Sequence, residues 1–361
     1  MRDAYDFERF LVRHPRPEND RRRLVPARAA QNLLDLHASL ENPELPNYVP
    51  PKSDAHLLLA TWNIQHFGST DRYDESLWYI AEILSRFDLI AIQEVKQSLR
   101  DLEAVTGLLG PWWRYIVSDV TAGGPGNEER LAYLYDTRRV RFSGLAGEIV
   151  LPPIEDREGN HYPARQLVRT PYMAGFNAGW FPFILSTVHI IWGEEAQDHP
   201  PRVEEIEQLT DFLVNRRSEQ GAWSRNMILL GDFNMFDAKG VAARALADSG
   251  FSIPHEREHL RATNVGEAAR FYDQIAFLLE DARRSKPTRL GVLDFFEAVY
   301  SDEKFDLYRD TLRTAAGEVP SNPLRYYKQH WRRREMSDHL LLWVQLPIDF
   351  SKNHLTDTAG Y

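Results

Sequence analysis

Seven short apolar runs in this 361-residue chain each carry, at one end, a residue able to bind a metal ion or handle a phosphate. Asn63 follows the run 57–62, Glu94 follows 88–93, His189 follows 183–188, and Asp232 with Asn234 follows 227–231. On the other side, Glu129 precedes 131–135, Asp273 precedes 275–279, and Asp338-His339 precede 340–346. These residue types suit phosphodiester hydrolysis, which needs an activated water, relief of charge on the nonbridging oxygens, and a proton or metal for the leaving oxygen. A carboxylate such as Glu94 can hold Mg²⁺ while leaving waters in its shell. Asn63 and Asn234 can donate to a phosphate without adding negative charge. His189 and His339 titrate near neutrality and suit acid and base roles. Each imidazole needs a partner that fixes its tautomer, for which Glu129 and Asp273 are candidates.

For these residues to meet, the runs must be strands of one core. Where neighbouring strands are antiparallel, the C-terminal end of one lies beside the N-terminal end of the next, so both sets can reach one rim. Between the strands, amphipathic stretches repeat at helical spacing: 27–40, 74–87, 99–109, 203–213 and 239–247. Helices interspersed through many strands predict helices over both outer faces of a sheet core. Residues 1–55 differ from the rest, with Arg21-Arg22-Arg23 leading into the first of these helices and a Pro-rich stretch, 43–51, that reads as an extended linker. The expected organisation is an N-terminal extension and linker over 1–55, a catalytic domain over 56–350 and a tail over 351–361. No internal repeat is visible.

Composition narrows the chemistry. The chain has no cysteine, which excludes disulfides and thiolate metal sites and leaves oxygen and nitrogen ligands. Mg²⁺ or Mn²⁺ is favoured, with Ca²⁺ as a further option. A net charge of −10 argues against coating nucleic acid through bulk electrostatics, but not against an enzyme whose carboxylates gather a metal. No apolar signal segment follows Met1 and no run is long enough to cross a bilayer, so a cytoplasmic protein without stable membrane association is expected.

The segments Thr61-Trp62-Asn63-Ile64, Ile92-Gln93-Glu94-Val95, Gly231-Asp232-Phe233-Asn234 and Ser337-Asp338-His339, in this order and each on a strand end, resemble the endonuclease/exonuclease/phosphatase superfamily. The resemblance runs from about residue 57 to 347. It implies an α+β, four-layer αββα sandwich of two mainly antiparallel sheets flanked by helices. The deoxyribonuclease I-like branch looks most similar, through 63–68, through Glu129-Arg130-Leu131-Ala132-Tyr133-Leu134-Tyr135 and through Tyr272-Asp273-Gln274-Ile275. The resemblance implies that Glu94 is the principal metal ligand, with Asp338 and Asn63 beside it. Asp232 and Asn234 would bind a second metal or the scissile phosphate. His189–Glu129 and His339–Asp273 would be acid/base pairs, and Lys96 and Arg169 phosphate contacts. The sequence departs from that branch at Gln65, in place of a basic DNA contact, and at Asn127, in place of a groove-inserting tyrosine.

The resulting expectation is a divalent-metal-dependent endonuclease acting on DNA or RNA. A phosphatase or phosphodiesterase on a phospholipid or soluble phosphoester is the alternative, and a non-catalytic binding module on the same fold is a third reading. The stretch 326–334 mixes Tyr, Trp, Lys and Arg just before Ser337 and reads either as a strand-binding surface or as a loop packed by Trp331. His66, His161, His199 and His255 have no motif support and read as ordinary surface or packing residues.

Overall fold

The computed structural model describes residues 5–121, 128–194, 199–254, 257, 259–281 and 286–359. Asn127 and His255 lie outside these residues. Two sheets form the centre. The first has six strands, in spatial order β12 (Arg289–Leu293), β13 (Leu341–Pro347), β1 (His56–Phe67), β2 (Leu89–Lys96), β4 (Glu129–Asp136) and β3 (Trp113–Val117). The second has five, in order β11 (Asp273–Leu278), β10 (Met227–Asp232), β9 (Phe181–His189), β8 (Tyr172–Ala178) and β5 (Arg141–Glu148). Only β1–β2 and β9–β10 among these pairs are parallel. The remaining pairing is a two-stranded ribbon, β6 (Ile154–Glu155) with β7 (His161–Tyr162).

The continuous apolar runs have a simple cause: both faces of these strands are covered. On β10, Ile228 and Leu230 join the cluster between the sheets, while Met227 and Leu229 join a second cluster beneath helices α5 (Pro200–Ser218) and α6 (Val241–Asp248). Successive strand residues point to opposite faces, so a strand buried on both sides must be apolar throughout. On the first sheet, helices α2 (Pro26–Glu41), α3 (Asp74–Leu84) and α4 (Arg100–Leu109) complete the large cluster. The result is the layered αββα, α+β architecture expected from sequence. Inside it, Gln93 bridges the sheets, donating to Thr187 Oγ1 at 2.9 Å and to Thr61 Oγ1 at 3.1 Å.

Residues 5–55 pack on this frame. Ala29, Leu33, Leu36 and Leu40 line one stripe of α2 and are buried with Phe10, Leu24 and Val49 in the same cluster as β1 and β2. Asn47 is buried as well, donating to the Asp294 carbonyl at 2.9 Å and accepting from the Asp294 N–H at 2.8 Å. Residues 351–359, in the stretch read as a tail, form a helix, and 323–335 are helical rather than a loop. Among the described residues no helix is long and apolar enough to cross a membrane.

Candidate active site

Strand register brings the polar strand ends together. Asp232 on β10 is paired with His189 on β9 and with Asp273 on β11, and Lys96 on β2 with Glu129 on β4. The first sheet contributes Asn63, Glu94 and Glu129 and, just ahead of β13, Asp338 and His339. The second contributes His189, Asp232 and Asp273, with Asn234 two residues past β10. Most of these line one cleft of about 420 Å³, together with His66, Trp192, Asn264, Tyr272 and Arg333. Larger clefts lie elsewhere on the molecule, but none holds this set of groups.

Local backbone aims several of these side chains. The β1–β2 and β2–β4 registers both shift around Glu94, so Glu94 stands on a bulge, with a left-handed φ of 59°. Bulges re-aim a side chain out of the ladder, and strained backbone of this kind clusters at functional positions. His66 and Asn234 are left-handed too, at 51° and 52°. Gly231, at φ 136°, packs so closely on β9 that a Cβ would collide with the Val188 carbonyl. Ser337 ties the segment before β13 to β1: its hydroxyl donates to the Asn63 carbonyl at 2.6 Å and accepts from the N–H groups of His339 at 3.1 Å and Gln65 at 3.2 Å. The buried Trp62 indole donates to the His339 carbonyl at 2.9 Å.

The two histidines have matching environments. His189 Nδ1 lies 2.9 Å from Glu129 Oε1, and His339 Nδ1 lies 2.9 Å from Asp273 Oδ2. The His339–Asp273 contact is a hydrogen bond and the His189–Glu129 contact an ion pair, and each ring turns Nε2 toward one atom, Asp232 Oδ2, at 3.5 Å from His189 and 3.6 Å from His339. Burial works against the charged imidazole, but the facing carboxylates outweigh it, Asp232 foremost for His189 and Asp273 for His339, so both rings titrate above their ordinary value. Asp232 is held below its ordinary range: burial opposes ionisation, but His339, His189, the Asn234 N–H at 2.9 Å and the Asn63 amide at 3.0 Å favour it. Glu129 is pushed down to about 2 despite its burial, by His189, Arg169 and Lys96.

The oxygens near Glu94 form a different kind of group. Glu94 accepts from Asn63 Nδ2 at 3.2 Å and from the His66 N–H at 2.9 Å. Asn63 Oδ1 and Asp338 Oδ1 are buried without a hydrogen-bond partner. Gln65, where a basic residue is expected from the resemblance, instead donates to Asp338 Oδ2 at 2.9 Å. Orphaned buried oxygens beside a carboxylate fit a hard divalent cation, which binds through oxygen. Two sets of acidic and histidine ligand atoms gather in this region, Glu94–Glu129–His189 and Asp232–Asp273–His339.

The basic residues divide. Lys96 Nζ lies 3.2 Å from Glu129 Oε2, and Arg169 pairs with the same carboxylate, so both cations border the cleft through Glu129. In the stretch 326–334, Tyr327 and Trp331 are buried in the core, and Lys328 and Arg332 pair with Asp302 at 2.6 and 2.9 Å. Arg333 alone of that run lines the cleft, facing the charge of Asp338. His66 and Trp192 reach the cleft although the sequence singles out neither, and so do Tyr272, from the segment 272–275, and Arg333, from the stretch 326–334. A trace exists for Trp192, an aromatic followed by glycine three residues after His189, and for His66, inside the 63–68 segment. His161 and His199 lie elsewhere, on β7 and at the start of α5.

The model of the endonuclease/exonuclease/phosphatase family matches residues 60–339. A curated relative named deoxyribonuclease, from Thioalkalivibrio sp. (strain K90mix), is 32% identical over 195 residues, covering 52% of this chain and 48% of that protein. The chain thus spans about half the length of that relative. Among solved structures, a mannosyl-6-phosphatase of Bacteroides thetaiotaomicron VPI-5482 superposes with a TM-score of 0.53 at 18% identity, covering 80% of this chain and 99% of its own. D. rerio TDP2 complexed with a single-strand DNA product superposes with a TM-score of 0.50 at 15% identity, covering 81% and 98%. At such identities the likeness is one of fold.

Proposed function

The chain belongs to the endonuclease/exonuclease/phosphatase family, and we propose that it is a divalent-metal-dependent phosphodiesterase whose substrate is nucleic acid. The observation that carries this reading is the pair of carboxylate-oriented imidazoles facing one Asp232 oxygen. The curated relative's name favours nucleic acid over other phosphoesters. The proposed catalytic unit occupies 56–350, with 1–55 and 351–361 as flanking segments.

Glu94, Asn63 and Asp338 would hold the cation, Mg²⁺ or Mn²⁺ by their oxygen chemistry, and Asp232 lies close enough to share in it. When bound, the ion supplies charge neutralisation for the phosphoryl oxygens. The residues do the rest. Asp232, kept ionised, accepts a proton from the attacking water. His189 and His339, both raised toward the imidazolium, face the phosphoryl group, where one gives its Nε2 proton to the leaving oxygen and the other offsets the developing charge. Glu129 and Asp273 hold the rings in register. Asn234 donates one amide hydrogen to the Ile190 carbonyl at 2.8 Å, and its second is placed for a phosphate oxygen. Arg333, Arg169 and Lys96 provide the positive border.

The test is cleavage of supercoiled plasmid, linear duplex, single-stranded DNA and RNA with Mg²⁺ or Mn²⁺, beside Glu94→Ala and His339→Ala. Cleavage by the wild type is expected, with turnover down about 10²–10⁴-fold in His339→Ala and loss in Glu94→Ala. Absence of cleavage of all four by the wild type, with turnover of a sugar phosphate or lipid phosphoester, would reject the nucleic-acid reading.

A further inference from the structure

Trp192 stands at the rim of the cleft, three residues beyond His189, and is 39% exposed. It is nonetheless fixed from behind. Arg202, fully buried on α5, donates to the Trp192 carbonyl. The indole meets Tyr272 edge-on at 5.3 Å and Phe236 at 5.4 Å, and those two rings meet at 5.8 Å. Arg202 and Arg270 cover the Phe236 ring at 4.8 and 4.6 Å. Immediately after the indole, Gly193 takes a left-handed φ of 66°, with the His199 imidazole packed where a Cβ would project.

This aromatic group reaches the chemistry. Tyr272 lies 5.5 Å from the His339 ring, so the indole is one ring removed from an imidazole that faces the phosphoryl site. A large apolar ring left open at the mouth of a charged cleft keeps an unfavourable hydration that a flat ligand would relieve. Because it is already held in place, little side-chain freedom is lost on binding.

We propose that Trp192 is the stacking platform for the nucleobase adjoining the scissile phosphate. The proposal rests on the nucleic-acid reading above and narrows it. A phosphate held by the two imidazoles puts the base of its own nucleotide on the rim side, one ring further out. Aromatic stacking accepts any base but needs an open base face, so the substrate class is single-stranded or locally unpaired nucleic acid. A sugar ring could lie on the same indole face, and the test separates the two.

Cleavage is measured on oligothymidylate and on a baseless oligomer of equal length built from tetrahydrofuran units, with Mn²⁺, for wild type, Trp192→Ala and Trp192→Phe. The baseless oligomer keeps the sugar-like rings and phosphates and lacks only the bases. The wild type is expected to prefer oligothymidylate in kcat/KM by about tenfold to a hundredfold. That ratio should collapse toward unity in Trp192→Ala, mainly through KM, and survive in Trp192→Phe. A wild-type ratio near unity, or one unchanged in Trp192→Ala, overturns the platform, and equal losses on both oligomers assign Trp192 to sugar contact or to shaping the cleft. If the wild type cuts duplex DNA or RNA but neither oligomer, the platform falls and the nuclease reading stands; if it cuts no nucleic acid at all, both fail. Cleavage by the wild type with an unaltered ratio removes the platform alone.

Discussion

Glu129 shows how much one carboxylate can be asked to do. It orients His189, pairs with Lys96 and Arg169, and is held down to about 2 although buried. A carboxylate whose folded value lies below its unfolded value stabilises the fold above the unfolded value, near 4.5, and loses that stabilisation as pH falls toward 2. Urea unfolding of wild type and Glu129→Gln should therefore give a stability gap that is full between about pH 5 and 6.5, closes between pH 4.5 and 2, and narrows again as pH rises through the raised titration of His189. A gap independent of pH would mean that the carboxylate is not ionised in the fold. The identities of Glu94, Asp232 and His339 were legible because they fall in recognisable segments at the ends of apolar runs. The contacts of His66 and Gln65 were not. Each depends on a bulge and a positive φ, which leave no mark in residue type, and a glutamine in place of a base reads as a loss until its amide is seen on Asp338.

At the level of elements, strands with continuous apolar runs were readable and the others were not. β5 has no buried residue and carries two glycines, β3 and β12 are short edges, and β8 includes two alanines and a glycine, so none offers a clear alternation or apolar run. The stretch 326–334 left two readings open for another reason: Tyr327 and Trp331 are buried in the core from a helical segment while Lys328 and Arg332 pair with Asp302 and Arg333 lines the cleft, a division only the fold imposes. The link between elements that matters most for the cleft is Arg72. Buried two residues ahead of α3, it donates to the Gln65 carbonyl, to the Glu335 carbonyl at 3.3 Å and to Asp101 at 3.2 Å. It thus joins the end of β1 that carries His66 to the segment that leads into Asp338. Arg16, from the N-terminal extension, donates to the Arg72 carbonyl at 2.9 Å and to Asp74 at 2.7 Å, so the extension braces the same joint. Arg72→Met would take the buried guanidinium from Asp101, leaving it Arg100 and the Gly68 N–H, and would remove a donor from the Gln65, His66 and Glu335 carbonyls, and denaturant unfolding should show a loss of about 3–5 kcal/mol. A loss under 1 kcal/mol would show that the joint is not structural.

For the molecule as a whole, carboxylates crowded at one rim repel one another, and a cation among them would relieve that repulsion. Anything that binds only the folded state raises its stability by mass action. Millimolar Mg²⁺ or Mn²⁺ should raise the Tm of the wild type and raise that of Asp338→Asn or Glu94→Ala much less, with EDTA reversing the gain. Equal shifts in all three would place the ion elsewhere. The division of the active groups between two sheets has a further result. Neither sheet alone holds a complete set: Asp232 faces His189 within its own sheet and, across the seam, His339 just ahead of β13 of the other. A slide of one sheet on the other by a fraction of an ångström leaves every ladder intact and spoils the alignment, as the two scales of a vernier can drift while each ruler stays true. On slow warming, hydrolysis should fade before far-UV circular dichroism moves, and truncating the Gln93 bridge should widen that interval.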